Sequence, residues 1–185
     1  MSHLSLPRPG ADESAPFYHG YIAEVPGERI GAYLTEQLLE VERLLAPLDD
    51  AAARSRYAPG KWSVKEVLGH LCDVERIFAY RLLRIARGDT TALPGFDENA
   101  YVPPAEFDSR PMPDLVREFQ AIRGSTIALV EGLPAAAWER RGQASGKSVT
   151  GRALAYIMVG HVTHHLGVLR DRYLASTAAV AAARR

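Results

Sequence analysis

Five prolines, Pro94, Pro103, Pro104, Pro111 and Pro113, crowd the stretch 88–113. No continuous helix can run through them, because each removes a backbone donor and sets its ring against the preceding turn. Two segments on either side of this break carry apolar residues at steps of three and four, the spacing of one buried helical face. The first has Ile30, Leu34, Leu38, Val41, Leu45 and Leu48 and ends near Pro47; the second has Val67, Leu71, Val74, Phe78, Leu82 and Ile85 and stops at Gly88. A third begins at Pro113 or Asp114 with Leu115, Phe119, Ile122, Thr126, Leu129 and Leu133, and a fourth runs from about Val149 to Tyr173. Residues 134–140 allow one short helical turn, and 142–147 read as a loop. Four amphipathic helices, no strand and one long crossover between the second and third predict an all-α four-helix bundle.

The start of the second helix is written in unusual detail. Ser63 and Glu66 match a capping box, and Trp62 and Val67 fall at the two positions of a hydrophobic staple. A chain of 185 residues with 47% hydrophobic residues supports one core and one domain. The expected organisation is an extended arm over 1–25, the bundle over 26–175, and a tail or frayed helix end over 176–185. His3 and His19 would then be solvated in the arm.

Lysine plus arginine equals aspartate plus glutamate at 22 each, a balance that argues against a nucleic-acid backbone or an anionic membrane surface as partner. The amino terminus lacks a basic cluster followed by an apolar run, and no segment has the length and apolarity of a membrane span, so a cytoplasmic location is expected. Small-molecule chemistry remains. The single cysteine, Cys72, excludes an internal disulfide and a thiolate-rich zinc site, so any metal would use nitrogen and oxygen ligands.

Such ligands stand on the fourth helix. At about 100° per residue, His161 and His165 are about 40° apart, and Leu154, Ile157, Met158 and Val168 lie within about 60° of His161. Both imidazoles point into an apolar face, where burial is costly unless each finds a partner. A shared metal ion is one solution, and an i, i+4 histidine pair is a known chelating geometry. A backbone carbonyl for each ring is the other. His70, on the shoulder of the second stripe, is the third candidate ligand, with Glu66 and Asp73 on the same side of that helix. Three imidazoles would leave an ion an open position, the form of a catalytic site. Zinc or nickel suits them best, with iron and copper also compatible and manganese less favoured.

His164, about 60° from His161 on the side away from His165, reads as an edge or outer contact. Cys72 lies about 160° from the His70 side and reads as a packed thiol. Glu139, Arg140 and Arg141 read as a solvated turn, and Arg170, Asp171 and Arg172 as surface charges of a last helical turn.

Three stretches together give the chain a resemblance to a known family. They are residues 57–71, with Tyr57-Ala58-Pro59-Gly60-Lys61-Trp62-Ser63 leading to Gly69-His70; residues 93–101, Leu93-Pro94-Gly95-Phe96-Asp97-Glu98-Asn99-Ala100-Tyr101; and Gly160-His161-Val162-Thr163-His164-His165 running on to Arg170. They resemble the DinB-like superfamily, in particular its bacillithiol or mycothiol S-transferase-like branch, over about residues 26–175. The resemblance implies a bundle in which His70, His161 and His165 bind a divalent metal, and a homodimer in some members. It also implies a low-molecular-weight thiol as cosubstrate, activated for attack on a small electrophile. The crossover segment Phe96 to Tyr101 has two readings: it closes over the metal, with Asp97, Glu98 and Asn99 supplying polar contacts, or it is a loop packed by Phe96 and Tyr101. Candidate catalytic groups are therefore Glu66, Asp73 and Asn99. The alternatives are a hydrolase using metal-bound water with Glu66 or Asp73 as base, and a stress-associated metal-binding protein without enzymatic activity.

Overall fold

The helices begin where side chains can replace missing backbone partners. In the computed structural model, which describes residues 4–175, α1 spans His19–Glu24, α2 Ile30–Leu45 and α3 Asp50–Ala53. The long α4, Val64–Ala86, starts on the expected capping box: Glu66 N–H donates to Ser63 Oγ at 3.0 Å, and Ser63 N–H donates to Glu66 Oε2 at 2.7 Å. Gly88, at φ +80°, takes the left-handed position beyond its end.

The proline-rich connection is not wholly irregular. It holds an eight-residue helix, α5, Glu98–Ala105, capped by Asp97 and carrying Pro103 and Pro104 near its end. Then follow α6, Met112–Glu131, and a hairpin of β1, Arg141–Ala144, with β2, Lys147–Thr150. The hairpin corrects the expectation of a loop at 142–147 and of no strand. Its turn residues, Ser145 and Gly146, both have positive φ, which matches the twist of two paired strands, while four-residue strands are too short to display alternation. Thr150 caps α7, Gly151–Val168, whose spiral widens into a π-type turn over Leu169–Leu174.

The core falls into two apolar clusters, and the direction of each long helix follows from the order in which it visits them. On α2, Ile30 and Leu34 join the first cluster and Val41 and Leu45 the second; α7 likewise passes from Leu154 and Ile157 to Leu166. In the opposite order, α4 goes from Leu68 and Leu71 to Phe78 and Leu82, and α6 from Leu115 and Phe119 to Val130. Hence α4 and α6 run parallel, against α2 and α7. Each of α6 and α7 packs on both α2 and α4. Because α4 and α6 are parallel neighbours, the chain between them must travel back along the bundle, and this is why the crossover is long.

The amino-terminal segment differs from the extended arm expected. Short 3₁₀ turns at Ala11–Glu13 and Pro16–Tyr18 lead into α1, which lies along α7, and Leu6, Ile22 and Val25 are buried in the first cluster. Gly160 on α7 permits this approach, since a Cβ there would meet Tyr21 O at 1.9 Å. The charged run at 139–141 is also more than a solvated turn: Arg140 donates to Ala86 O, Arg141 pairs with Asp12 at 2.7 Å, and β1 begins at Arg141. His3 and the segment 176–185 lie outside the described residues. No helix among the described residues is long and apolar enough to cross a membrane.

Candidate metal centre

Between the two apolar clusters every long helix contributes a buried polar side chain: Gln37 from α2, His70 and Glu75 from α4, Arg123 from α6 and His161 from α7. They divide into two groups.

In the first, Arg123 is fully buried and faces Glu75, with Nε 2.9 Å from Oε1 and Nη2 donating to Oε2 at 3.0 Å. Arg123 Nη1 donates to Gln37 Oε1 at 2.8 Å, and Gln37 Nε2 donates to Val159 O at 2.7 Å and Thr163 Oγ1 at 2.9 Å. This network ties all four helices together. The sequence signal for it was a polar residue at a stripe position: Gln37 between Leu34 and Val41, Arg123 between Phe119 and Thr126.

The second group is the predicted triad. One ring nitrogen from each of His70, His161 and His165 lies within 4.8 Å of the others, and the His70 and His161 Nε2 atoms are 3.0 Å apart. His70 and His161 are buried and His165 is half-buried. The ring of Trp62 packs against His70 at 4.8 Å between centroids, and Tyr21 and Phe78 stand edge-on to His161 at 5.4 and 5.9 Å. Gly69 lets Phe107 close down beside His70, because a Cβ there would meet that ring at 2.4 Å.

Burial pushes the His70 imidazole down to about 4, and burial together with the nearby His70 and His164 rings takes His165 to about 3. His161 is driven well below the ordinary imidazole value by burial, by the other three histidines and by the Arg123 charge. All three rings are therefore neutral at pH 7, the form a metal requires. No backbone carbonyl or carboxylate bonds to them among the described residues; the His70–His161 contact is their only hydrogen bond. Two nitrogens on one tetrahedral ion about 2.05 Å away stand roughly 3.3 Å apart. The donor type, the neutral state and the spacing all fit a divalent cation.

Two cavities reach the triad. The larger, about 430 Å³, touches His70, His161 and His165 and is walled by Phe17, Tyr18, Tyr21, Trp62, Phe78 and Phe96. The smaller, about 290 Å³, touches His165, Trp62, Asn99 and Tyr173. Trp62 and His165 border both. The crossover passes over this face, with Phe96 and Glu98 lining the larger cavity and Asn99 the smaller. Asp97 instead caps α5, accepting from Asn99 N–H at 2.9 Å.

The acids expected from sequence are not at the site. Glu66 is held by Ser63 N–H and by Arg56 at 2.8 Å. Asp73 lies 3.7 Å from Arg76, near Glu118 of α6, where burial raises its carboxyl. Neither lines a cavity with the histidines. Helical phase placed them on the His70 side of α4, but the triad opens toward α7 and the amino-terminal segment. That segment supplies Phe17, Tyr18 and Tyr21, which sequence reasoning missed because a single step from Tyr18 to Ile22 is too short to register as a period. Cys72 is a packed thiol in the second cluster, its pKa raised by burial. His164 sits at the helix edge, with Nδ1 3.1 Å from Glu24 Oε1, and His19 Nε2 lies 3.2 Å from Ala11 O.

A model of the DinB superfamily matches residues 33–169 of this chain. The fold matches the solved structure of YfiT from Bacillus subtilis with a TM-score of 0.71 and 19% identity over 88% of this chain and 89% of that one. That protein is described as "a probable metal-dependent hydrolase with an unusual four-helix bundle topology". No curated protein matches the sequence.

Proposed function

This chain belongs to the DinB superfamily, and on that premise we propose that it is a divalent-metal protein that joins a low-molecular-weight thiol to a small electrophile, with His70, His161 and His165 as the ligands. A metal ion held there would bind the thiol sulfur and lower its pKa, making thiolate available near neutral pH.

The observation that carries this reading is the pair of cavities meeting at Trp62 and His165. A transferase must bring two small molecules to one point, and the larger space, touching all three histidines, suits the thiol. The smaller one suits the electrophile. Around the triad, the rings of Trp62, Tyr21 and Phe78 exclude bulk water, which strengthens electrostatic attraction inside the site. Asn99 can orient the electrophile by hydrogen bonding. The positions of Glu66 and Asp73 also favour a thiol: its activation by a cation needs no nearby carboxylate base.

The second reading is metal-assisted hydrolysis. It has in its favour the description of YfiT and the Glu98 carboxylate, which lines the larger cavity and has no ion-pair partner among the described residues. Glu98 would then be the base toward a bound water.

The test uses metal-loaded protein and monochlorobimane, whose chloride is displaced by the thiolate sulfur to give a fluorescent thioether and HCl. Bacillithiol, mycothiol, glutathione and cysteine are supplied in turn, and His161→Ala serves as the control. Metal-dependent conjugation that His161→Ala abolishes is the expected result. Ester or amide turnover without thiol, reduced by Glu98→Gln, would replace it with the hydrolytic reading. Neither reaction, with a large fall in melting temperature on chelation, would make the metal a structural clamp. Elemental analysis of unsupplemented protein supplies the metal's identity, and no binding on reconstitution near pH 7 would overturn the site itself.

A further inference from the structure

Among the described residues two arginines are essentially removed from solvent, and of these only one has a counter-ion. Arg123 is matched by Glu75. Arg81, on α4 and 2% exposed, has no carboxylate within ion-pair distance among the described residues. Its Nη2 donates to Pro94 O at 2.8 Å and to Ser145 Oγ at 3.0 Å, the Tyr18 phenol also takes a side-chain hydrogen bond from it, all three neutral partners, and its guanidinium stacks near Phe78 and Phe96 at 5.9 and 5.6 Å. A guanidinium keeps its charge under all ordinary conditions, and a buried charge without an opposite one is costly.

The position of Arg81 says where an anion would come from. Phe78, Phe96 and Ser145 all line the larger cavity, and the Arg81 charge acts on Tyr18 of the same wall, opposing the rise that burial gives that phenol. Arg81 itself borders not that cavity but a third space of about 260 Å³, which adjoins it at Phe96 and Gly95. Eleven residues after His70, Arg81 lies about 20° from it around α4 and about 16 Å along the axis, and both side chains lean back along the helix in the same sense.

We propose that Arg81 receives a carboxylate of the thiol cosubstrate, so that a thiol bearing an acid at its far end crosses the larger cavity from the histidine triad and passes Gly95 and Phe96, which border both spaces, to reach this guanidinium in the adjoining one. The inference rests on the proposed thiol reading. Arg81 acts as a binding and specificity residue, and its planar donor fork suits a carboxylate.

Calorimetric titration of the full chain with ω-mercaptooctanoate and ω-mercaptooctanol tests it, since these differ only in the terminal group; ω-mercaptopropionate, too short to span, is the third probe. In metal-loaded protein the long acid should bind at least about tenfold tighter than the alcohol, and the short acid should lack this advantage. Arg81→Gln, which keeps a donor for Pro94 O and Ser145 Oγ, should reduce the preference to parity with metal content and alcohol affinity unchanged. In chelator-treated protein the acid should still be preferred, at lower affinity.

Equal binding of acid and alcohol by the wild type overturns the proposal, as does a preference that survives Arg81→Gln or no binding of any of the three. The wild-type comparison decides if Arg81→Gln fails to fold. Metal that strengthens both thiols without any acid preference would remove Arg81 and leave the thiol reading standing. An Arg81-dependent preference indifferent to metal would do the reverse.

Discussion

The two polar groups at mid-bundle show how similar burial can serve opposite ends. Arg123, Glu75 and Gln37 satisfy one another and reach the α7 backbone, and their charges cancel. His70, His161 and His165 stand beside them, neutral, with one hydrogen bond among three rings and two cavities at their edge. The first group pairs its charges within the protein, whereas the second faces two cavities. A closed network fixes the helices in register, and that register holds three imidazoles in place before any ligand arrives.

Breaking the closed network should have the largest effect. Arg123→Met leaves Glu75 buried and uncompensated, so the urea midpoint should fall by the equivalent of about 3–5 kcal/mol. Adding Glu75→Leu should recover most of that loss, because the desolvated charges are then gone together. If Arg123→Met alone were neutral, the network would not be what holds the layer.

Acid acts on the open group. A histidine whose pKa is about 4 when folded and about 6.5 when unfolded takes up its proton more readily in the unfolded chain. Metal-free protein should therefore hold its stability above about pH 6.5 and lose it as pH falls toward 4, by a few kcal/mol over the triad. Melting curves across that range measure this, and replacing all three histidines by leucine should flatten the profile. A wild-type profile already flat between pH 6.5 and 4 would show the rings to be more accessible than their burial implies.

Metal should sharpen the contrast by completing the open group. With free zinc or nickel at a hundred times the dissociation constant, stability should rise by about 2.7 kcal/mol. The gain should vanish in His161→Ala and persist in the Arg123→Met, Glu75→Leu pair. The smallest change lies at the start of α4: Ser63→Ala should cost about 1 kcal/mol through the lost cap while leaving metal affinity intact. A fall in affinity there would mean that the helix start helps to aim His70.

Much of the architecture could be read locally. The four stripes and the cap at Ser63 are properties of neighbouring residues, and so is the i, i+4 pair of His161 and His165, since a helix places them on one side whatever it packs against. The β-hairpin was missed because its strands are short, and the role of the 1–25 segment because its helices are. Glu66 and Asp73 were misplaced for a different reason. Helical phase gives an angle around one axis, but which neighbour stands at that angle depends on the whole assembly.

Covalent spacing and backbone geometry alone specify four amphipathic helices, a long proline-rich crossover and a histidine pair facing an apolar side. Packing of the assembled bundle makes α4 and α6 run parallel, which sends the crossover past the triad. The same packing makes Tyr18 and Tyr21 wall the site, brings Arg123 to Glu75 and leaves Arg81 without an acid among the described residues. Those relations join residues far apart in the chain, and they are set by how four helices share one core.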